Sequence, residues 1–289
     1  MNLVLLRPDE VDPAGGAKLD GRRAAHLIER LSVAPGRELQ AGLLDGPLGT
    51  AIVERVDGAT VDLRCRFDHD APPRSDDTLI LAVPRPKVLC RCVEHATALG
   101  FARIVVVRSW FTDKSHLASA RLDAARLDAR VIAGLEQSRR TMRPSLSVEP
   151  LFRPFCEDRL DGIVGPAARY VADPDAPRDL VECAPGARDA IAVAIGPERG
   201  FNAFEIDLLG ARGFRRVHAG RHPLRVECAV TALFAQLDAL RRAARGDHRA
   251  EALASAGIRG ATAAGSSSTR VSTDRVDPSG SRTTMDTPS

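Results

Sequence analysis

A glycine-bearing turn with the sequence Gly-Pro-Glu-Arg-Gly, at residues 196–200, separates an apolar run from the start of a helix. The run at residues 191–195 is apolar throughout, which is typical of a strand buried on both faces. Asn202 and Glu205 have the spacing of a capping box at the helix start. Turns of this kind present backbone N–H groups at the carboxyl edge of a sheet, where open α/β folds bind ligands. Taken alone, the turn favours an ordinary strand-to-helix connection, and a ligand-binding loop is the alternative that the rest of the chain must decide.

Composition and cysteine usage argue against several classes of protein. The 289-residue chain is 44% hydrophobic, which is enough for a sizeable core. It has no run of about 18 apolar residues to span a membrane, and its short apolar start does not resemble a secretory signal. The cysteines are scattered without a C-x-x-C pair, so we predict no metal site, no disulfide framework and a cytoplasmic location. They are Cys65, Cys90, Cys92, Cys156, Cys183 and Cys228.

The charge of the chain is a weak indication of a nucleic-acid partner. The formal net charge is +3, and the basic excess falls in residues 76–246, where arginine is much commoner than lysine. Arginine suits phosphate recognition because its guanidinium presents a planar fork of donors. An arginine-rich genome gives the same composition, so charge alone does not identify the partner.

The first 75 residues predict a small β-rich unit. Short strands are indicated by "NLVLLR", "ELQAGLLDG" and "GTAIVERVDGATVDLRCRF", with a hairpin turn at Asp57-Gly58. One helix is predicted at about residues 21–31. The polar, proline-bearing stretch at residues 69–77 predicts a linker, and we place a domain boundary there, with residues 1–75 as the first domain.

From residue 78 onward, predicted strands alternate with predicted helices. The strands are "LILAVP", "RIVVV", "GIVGP", "AIAVAIGP" and "RRVHAG"; the helices are "KVLCRCVEHATALG", an arginine-rich stretch reaching about residue 140, and "AVTALFAQLDALRRAA". This alternation predicts an α/β domain over residues 76–246, with a parallel sheet covered by helices on both faces. We expect residues 247–289 to be disordered, because this tail has too few large apolar residues to form a core.

Three segments together resemble one family. They are "EQSRR" at residues 136–140, "AIGPERGFNAFEI" at 194–206 and "AGRHPLRVECAVTAL" at 219–233. They are similar to motifs of the RsmE family of 16S ribosomal RNA uridine-N3 methyltransferases, within the SPOUT class of knotted enzymes. "PRPKVLCRCVEHATALGF" resembles the family's lysine-bearing helix, and "HLIERLSVAPGRELQAGLLDG" resembles its PUA-like RNA-binding domain. The resemblance covers residues 3–244, and the chain lacks a competing G-x-G-x-x-G after its first strand or a P-loop G-K-[ST].

The resemblance implies an architecture, a cofactor and partners. The expected fold is a SPOUT-type α/β domain with a trefoil-knotted parallel sheet, preceded by a small PUA-like β-barrel domain. The expected cofactor is S-adenosylmethionine, and the expected partners are 16S ribosomal RNA or the assembled small ribosomal subunit and a second copy of the chain. Three loops would hold the cofactor, with glycines that let the backbone approach it closely. The implied cofactor-binding residues are Gly165, Ile195, Gly196, Pro197, Glu198, Gly200, Ala219, Gly220, Leu224 and Arg225.

The implied reaction makes its main chemical demand at the uridine. N3 carries a proton and is a poor nucleophile until that proton leaves, so the site should stabilise the developing anion. Arg225, in "LRVE", is our leading candidate for this role. Glu227 is predicted either to orient Arg225 or to accept the proton. The alternative is a structural salt bridge between the two residues at a helix start, where the helix dipole favours a carboxylate.

Four basic residues are candidates for RNA contacts. The resemblance indicates that Lys87 lies against RNA, and that Arg139, Arg140 and Arg143 face RNA phosphates or the dimer partner. Solvated arginines at a helix end are the alternative. We expect the aromatic pair Trp110-Phe111 to pack in the core, with base stacking as the alternative.

Several residues depart from the family pattern. Arg199 stands where a second glycine is usual, His222 replaces an arginine and Pro223 an aliphatic residue, and Val226 and Cys228 replace threonines. The turn tolerates Arg199 if its φ angle is negative. Two other functions therefore stay open: a SPOUT methyltransferase acting on another RNA, and a catalytically silent RNA-binding protein.

Overall fold

The computed structural model describes residues 2–117, 119, 122–187, 189–220 and 222–246. These residues hold two β-sheets, which lie on either side of the predicted boundary in the sequence. All described residues fall within one compact unit, and the division into separate domains stays a prediction. The disorder predicted for residues 247–289 concerns a segment outside the described residues.

The N-terminal sheet has five strands and is mostly antiparallel. Its elements are β1 (Val4–Leu6), β2 (Gly16–Leu19), α1 (Gly21–Ala25), β3 (Glu38–Leu43), β4 (Leu48–Asp57) and β5 (Thr60–His69). The strand order is β1-β3-β4-β5-β2, with β1 parallel to β3 and the other neighbours antiparallel. Helix α1 continues as one π turn over His26–Arg30, and Leu27 from that turn packs in a buried core with Leu19 and Leu63.

The predicted β4–β5 hairpin is confirmed, but its loop is one residue further along the chain. Asp57 pairs with Thr60, so the loop is Gly58-Ala59 rather than Asp57-Gly58. Gly58 has a φ of +55°. A glycine with positive φ at the first loop position is typical of type II′ hairpins, whose twist matches that of the flanking strands.

The second sheet is parallel and has helices on both faces. Its elements are β6 (Thr78–Ala82), α2 (Pro86–Leu99), β7 (Arg103–Val107), α3 (Lys114–Leu117), α4 (Ala124–Ser138), β8 (Ser145–Glu149), α5 (Phe152–Pro154), α6 (Leu160–Val164), β9 (Ala168–Ala172), β10 (Ile191–Ile195), α7 (Ala203–Ala211), β11 (Arg215–Val217) and α8 (Val226–Arg245). The order is β11-β9-β10-β6-β7-β8, and every neighbouring pair is parallel. The predicted α/β fold with a parallel sheet is confirmed.

Alternate residues of the central strands bury against two different helical layers. Leu79 and Leu81 of β6 belong to the core shared with α2, α4 and α8. Ile80 and Ala82 point the other way and belong to the core shared with α5, α6 and α7. Because successive side chains of a strand face opposite sides, a strand covered on both faces must be apolar throughout. This explains the uninterrupted apolar run of β10, which is buried at every residue.

The strand predicted in "GIVGP" is wrong, because this segment forms helix α6. Leu160 and Val164 are four residues apart and bury on one face of that helix. Gly165 follows with a φ of +60°, a backbone conformation that ends the helix. The sequence analysis also missed β2, β8 and β9, whose charged or small residues hide the strand pattern.

Candidate active site

A cavity of about 820 Å³ opens at the carboxyl edge of the parallel sheet. Its walls come from the residues that follow β9, β10 and β11 and from the starts of α2 and α8. Small-molecule sites usually have volumes of roughly 300–1,000 Å³. The carboxyl ends of strands are also where open α/β sheets bind ligands, so this cavity is the candidate active site.

The turn after β10 brings backbone atoms to the cavity wall. Gly200 donates its N–H to the Pro197 carbonyl at 2.8 Å, which closes the turn. A Cβ atom on Gly196 would lie 2.7 to 2.8 Å from backbone atoms of Gly200 and Phe201, so a larger residue does not fit. The positive φ of +72° falls on Gly200 and not on Arg199, as the prediction for this turn required.

Glu198 ties this turn to the start of α2. Its Oε1 accepts the N–H of Arg85 at 3.0 Å, and Arg85 is the residue that caps the N-terminus of α2. A carboxylate in this position is stabilised by the helix dipole and by N–H groups that lack partners within the helix. Both side chains lie in the cavity wall, so this contact joins two of its walls.

Arg225 and Glu227 both line the cavity, but Glu227 has a different partner. Glu227 lies in the first turn of α8 and accepts a hydrogen bond from Arg91 of α2 at 2.8 Å. Its side chain is 14% exposed. Arg225 is exposed, and no hydrogen bond or ion pair with the described residues engages its guanidinium. The alternative of an Arg225–Glu227 salt bridge is therefore wrong, and Arg225 adds an uncompensated positive charge to the wall.

The third loop of the cavity follows β9. Gly165 lies at the opposite, amino end of β9 and is not among the cavity residues, so it does not belong to this site. The wall is formed instead by Asp173, Pro174 and Asp175. Asp173 is paired with Arg216 at 2.6 Å, whereas the Asp175 carboxylate has no partner among the described residues.

Most of the residues predicted to bind a cofactor are brought together by the structure. With the exception of Gly165, all of them line the cavity: Ile195, Gly196, Pro197, Glu198, Gly200, Ala219, Gly220, Leu224 and Arg225. The sequence analysis missed four charged residues of the wall, Arg85, Arg91, Asp173 and Asp175. Arg91 could have been found from the sequence, because it lies one helical turn after the predicted RNA-binding residue Lys87, on the same face of α2.

The predicted RNA-binding residues lie at two different edges of the sheet. Lys87 is exposed in the first turn of α2, beside the cavity. The three arginines follow α4 and precede β8, at the amino edge. Arg139 caps the C-terminus of α4, Arg140 packs against Gly100, and Arg143 forms an ion pair with Asp45 at 2.7 Å. The structure does not bring these arginines to the cavity.

The loop after β7 presents the aromatic pair differently from the prediction. The side chain of Trp110 is 76% exposed, so its expected packing in the core is wrong. Phe111 is half-buried, and the guanidinium of Arg199 lies over its ring, 4.2 Å from the centroid. This cation–π contact joins the loop to the glycine-bearing turn of the cavity.

One buried thiol, Cys92, lies on the same helix as Arg91. Burial, with a smaller contribution from Glu227, raises the pKa of Cys92 on α2 to about 12. Its thiol is therefore protonated at neutral pH and unreactive. The described ranges contain no cluster of three or more His, Cys, Asp or Glu side chains that could hold a metal ion. No helix within them is long and apolar enough to cross a membrane.

Similarity to known proteins covers both sheets. Residues 72–238 match the model of the RNA methyltransferase domain. The chain is 30% identical over 240 residues to ribosomal RNA small subunit methyltransferase E of Treponema pallidum, covering 80% of this chain and 88% of that protein. It is 25% identical over 228 residues to the protein of the same name from Mycobacterium tuberculosis, covering 76% and 84% of the two chains.

Solved structures show the same fold. A methyltransferase of Legionella pneumophila in complex with S-adenosylmethionine superposes with a TM-score of 0.66 at 22% identity, over 82% of this chain and 97% of that one. Ribosomal RNA small subunit methyltransferase E of Neisseria gonorrhoeae, bound to S-adenosylmethionine, gives a TM-score of 0.64 at 22% identity, over 83% and 98%. With its RNA methyltransferase domain and its relative in Treponema pallidum, the chain belongs to the ribosomal RNA small subunit methyltransferase E family.

Proposed function

We propose that this protein transfers a methyl group from S-adenosylmethionine to N3 of a uridine in 16S ribosomal RNA of the small subunit. The observation that carries the proposal is the juxtaposition, in one cavity, of the Gly196–Gly200 backbone turn and the unpaired guanidinium of Arg225. Family membership supplies the reaction class, and the cavity supplies a site for it.

The cavity suits S-adenosylmethionine in its size and in the chemistry of its walls. Gly196 and Gly200 belong to the wall and have no side chains, so their backbone groups are within reach of a ligand there. Such groups recognise an adenosyl moiety by hydrogen bonding, while Asp175 offers a free carboxylate to a positively charged group. When bound, S-adenosylmethionine supplies an electrophilic methyl group on its sulfonium. The protein's own residues hold the cofactor and the uracil, and they stabilise the negative charge that develops on the uracil.

Arg225 stabilises the negative charge that develops on the uracil as N3 loses its proton. Its guanidinium has no partner within the described part of the chain, so no ion pair seen there has to break before it contacts the base. A positioned cation in a partly enclosed site stabilises such charge more than water does. Glu227 is the proton acceptor, and Arg91 orients its carboxylate through the 2.8 Å hydrogen bond.

The remaining parts of the proposal concern assembly and context. We place the protein in the cytoplasm, as a homodimer with a SPOUT-type trefoil knot, acting on 16S ribosomal RNA or the assembled small subunit. Lys87 contacts RNA beside the cavity. Arg139, at the amino edge, is exposed and reaches RNA only if the substrate or the second copy extends to that edge.

A methylation assay tests the proposal directly. The purified protein is incubated with S-adenosylmethionine and with 16S ribosomal RNA or small subunits from a strain that lacks this modification. The expected product is N3-methyluridine at one position, mapped by mass spectrometry of nuclease fragments. Methylation of a different RNA would replace the proposed substrate. Tight RNA binding without cofactor binding by calorimetry would instead identify a catalytically silent protein.

A further inference from the structure

Trp110 is a large aromatic side chain that the fold leaves in solvent. It is the only tryptophan of the chain, and 76% of it is exposed. Tryptophan is highly buried on average in folded proteins. An indole exposed to this extent, next to a cavity, requires an explanation.

The exposure does not come from a loosely held backbone. The N–H of Trp110 donates to Glu205 Oε1 at 2.7 Å, and Glu205 is 3% exposed and serves the capping box of α7. The neighbouring Ser109 N–H donates to Thr112 Oγ1 at 3.1 Å, and Thr112 Oγ1 donates to the Val83 carbonyl at 3.3 Å. The loop is anchored on both sides of Trp110, so the indole is presented outward on a rigid support.

The same loop is joined to the cavity. Phe111, the next residue along the chain, lies under the guanidinium of Arg199 at 4.2 Å, and Arg199 is part of the cavity wall. The chain around the indole is basic, because Arg108 and Lys114 have no side-chain partner among the described residues. One acid, Asp113, lies in the same segment and accepts the Ser115 N–H at 2.8 Å, so two cations stand against one carboxylate over residues 108–114.

We propose that Trp110 is a stacking platform for a nucleobase of the RNA substrate that flanks the nucleotide held in the cavity. The inference rests on the proposed function in taking the substrate to be RNA. Bases of single-stranded RNA stack on exposed aromatic rings, and adjacent cations meet the phosphates between them. The indole stands on a segment that also carries Arg108 and Lys114, and the next residue, Phe111, contacts Arg199 of the cavity wall, so both kinds of contact are available near the site. Trp and Arg are also common at protein–protein interfaces, so a contact between copies of the chain is an outcome that the experiment below must separate from RNA binding.

The single tryptophan makes stacking directly measurable. Fluorescence of the full-length wild-type protein is followed while a single-stranded RNA oligonucleotide carrying the methylated uridine and its neighbours is added. Stacking is expected to quench the indole emission and to protect it from acrylamide, in parallel with binding measured by anisotropy of a labelled RNA. Saturable RNA binding that leaves the emission and its acrylamide accessibility unchanged would overturn the proposal. A change that follows protein concentration without RNA would assign Trp110 to a contact between copies of the chain.

Substitutions provide an independent test with a matched control. Trp110→Ala is expected to weaken RNA binding by roughly five- to 150-fold, the range for loss of one base–aromatic stack. Trp110→Phe retains a ring and should recover part of the affinity. Leu151→Ala removes another exposed apolar side chain and is expected to leave RNA affinity unchanged. Equal affinity of Trp110→Ala and the wild type would refute the platform.

Cofactor measurements separate failure of this inference from failure of the proposed function. Trp110→Ala is expected to bind S-adenosylmethionine like the wild type, because the indole is not among the cavity residues. If the wild type methylates RNA and Trp110→Ala binds that RNA equally well, only the platform is wrong. If the wild type binds neither RNA nor cofactor, the proposed function is wrong. The stacking proposal is then wrong too, because it takes the substrate to be RNA.

Discussion

A buried ion pair at the amino edge of the parallel sheet contrasts with two unpaired charges at its carboxyl edge. At the amino edge, Asp77 and Arg241 form a two-pronged ion pair with N–O distances of 2.8 and 3.1 Å. Asp77 is 1% exposed, and it also accepts the Ile191 N–H at 2.9 Å. At the carboxyl edge, Arg225 and Asp175 face the cavity without partners among the described residues.

The difference separates charges that hold the fold from charges that are available to a ligand. A buried ion must be paired, because its desolvation otherwise costs several kcal/mol. Asp77 and Arg241 meet this requirement through each other, and Arg241 also pairs with Asp238 at 2.9 Å, which leaves them little capacity for an outside partner. Arg225 lies in solvent, where an unpaired charge costs the fold little. Unpaired polar groups converging on a cavity are therefore a better guide to function than the total number of charges.

The largest effect is expected from Asp77→Ala, at the amino edge. It removes the acceptor of both hydrogen bonds that the buried Arg241 guanidinium donates to Asp77, and the acceptor of the Ile191 N–H. Because Asp238 still contacts Arg241 at 2.9 Å, we expect a loss towards the lower end of about 3–5 kcal/mol in the free energy of unfolding. Denaturant unfolding measures this. The matched control is Asp76→Ala, because Asp76 is 80% exposed and its pair with Arg103 is at the surface; we expect at most about 1 kcal/mol there. Similar losses for both variants would contradict the contrast between buried and exposed charges.

The next largest effect is expected from Arg225→Ala, at the carboxyl edge, and it should change the methylation rate without changing stability. Arg225→Ala is expected to lower the single-turnover methylation rate by about 10²–10³, as for loss of one donor to a developing anion. Its melting temperature and cofactor affinity should stay near the wild-type values, because no described residue pairs with the side chain. Arg225→Lys should recover only part of the rate.

Arg126→Ala is the control for Arg225, since it removes another exposed arginine, on α4. It is expected to leave rate and stability unchanged. If Arg225→Ala unfolds at a distinctly lower temperature, the two edges do not differ in the way described above. If it is stable and turns over normally, Arg225 has no part in the mechanism.

A smaller effect is expected from Gly196→Ala, which tests the backbone wall of the cavity. The added methyl group would lie under 3 Å from backbone atoms of Gly200 and Phe201, so the turn must shift. Overpacking of this kind costs about 1–3 kcal/mol, and we expect cofactor affinity by calorimetry to fall by roughly five- to 150-fold. Gly210→Ala, in helix α7 with open space around it, should instead stabilise the protein by about 0.5–1 kcal/mol.

The smallest effect is expected from Arg91→Ala. Arg91 is 53% exposed, and exposed ion pairs contribute about 0.2–1 kcal/mol. Stability should hardly change, while turnover falls up to about fivefold because Glu227 loses its orienting partner. Arg91→Lys should restore most of the rate. A hundredfold loss for Arg91→Ala would show that Arg91 contacts the substrate itself.

Local sequence patterns predicted the elements that carry strong periodic signals. The strand at residues 191–195, the capping box of Asn202 and Glu205, and the final helix were all readable in this way. The apolar pattern of "GIVGP" was ambiguous, because so short a run has no distinct helical or strand period. Trp110 was misplaced because its residue type is usually buried.

The pairing of charges could not be read from the sequence at all. Arg91 and Glu227 are 136 residues apart in the chain, and only the packing of α2 against α8 brings them together. The same holds for Asp77 and Arg241, which are separated by 164 residues. Motif spacing identified the loops of the cavity, whereas the partners of each charge depend on the tertiary structure.

The position of β10 in the sheet has a consequence for how the protein is made. β10 pairs with β6 on one side and β9 on the other, and the hydrogen bond from Ile191 to Asp77 links residues 114 positions apart. During synthesis, β6 therefore cannot pair with β10 until most of the chain has left the ribosome. Pairing across such separations is slow, because the entropy of closing the long intervening loop must be lost first. The cavity is completed only when α8 has emerged, because residues of α8 form part of its wall, so a nascent chain that ends before α8 has no complete ligand site.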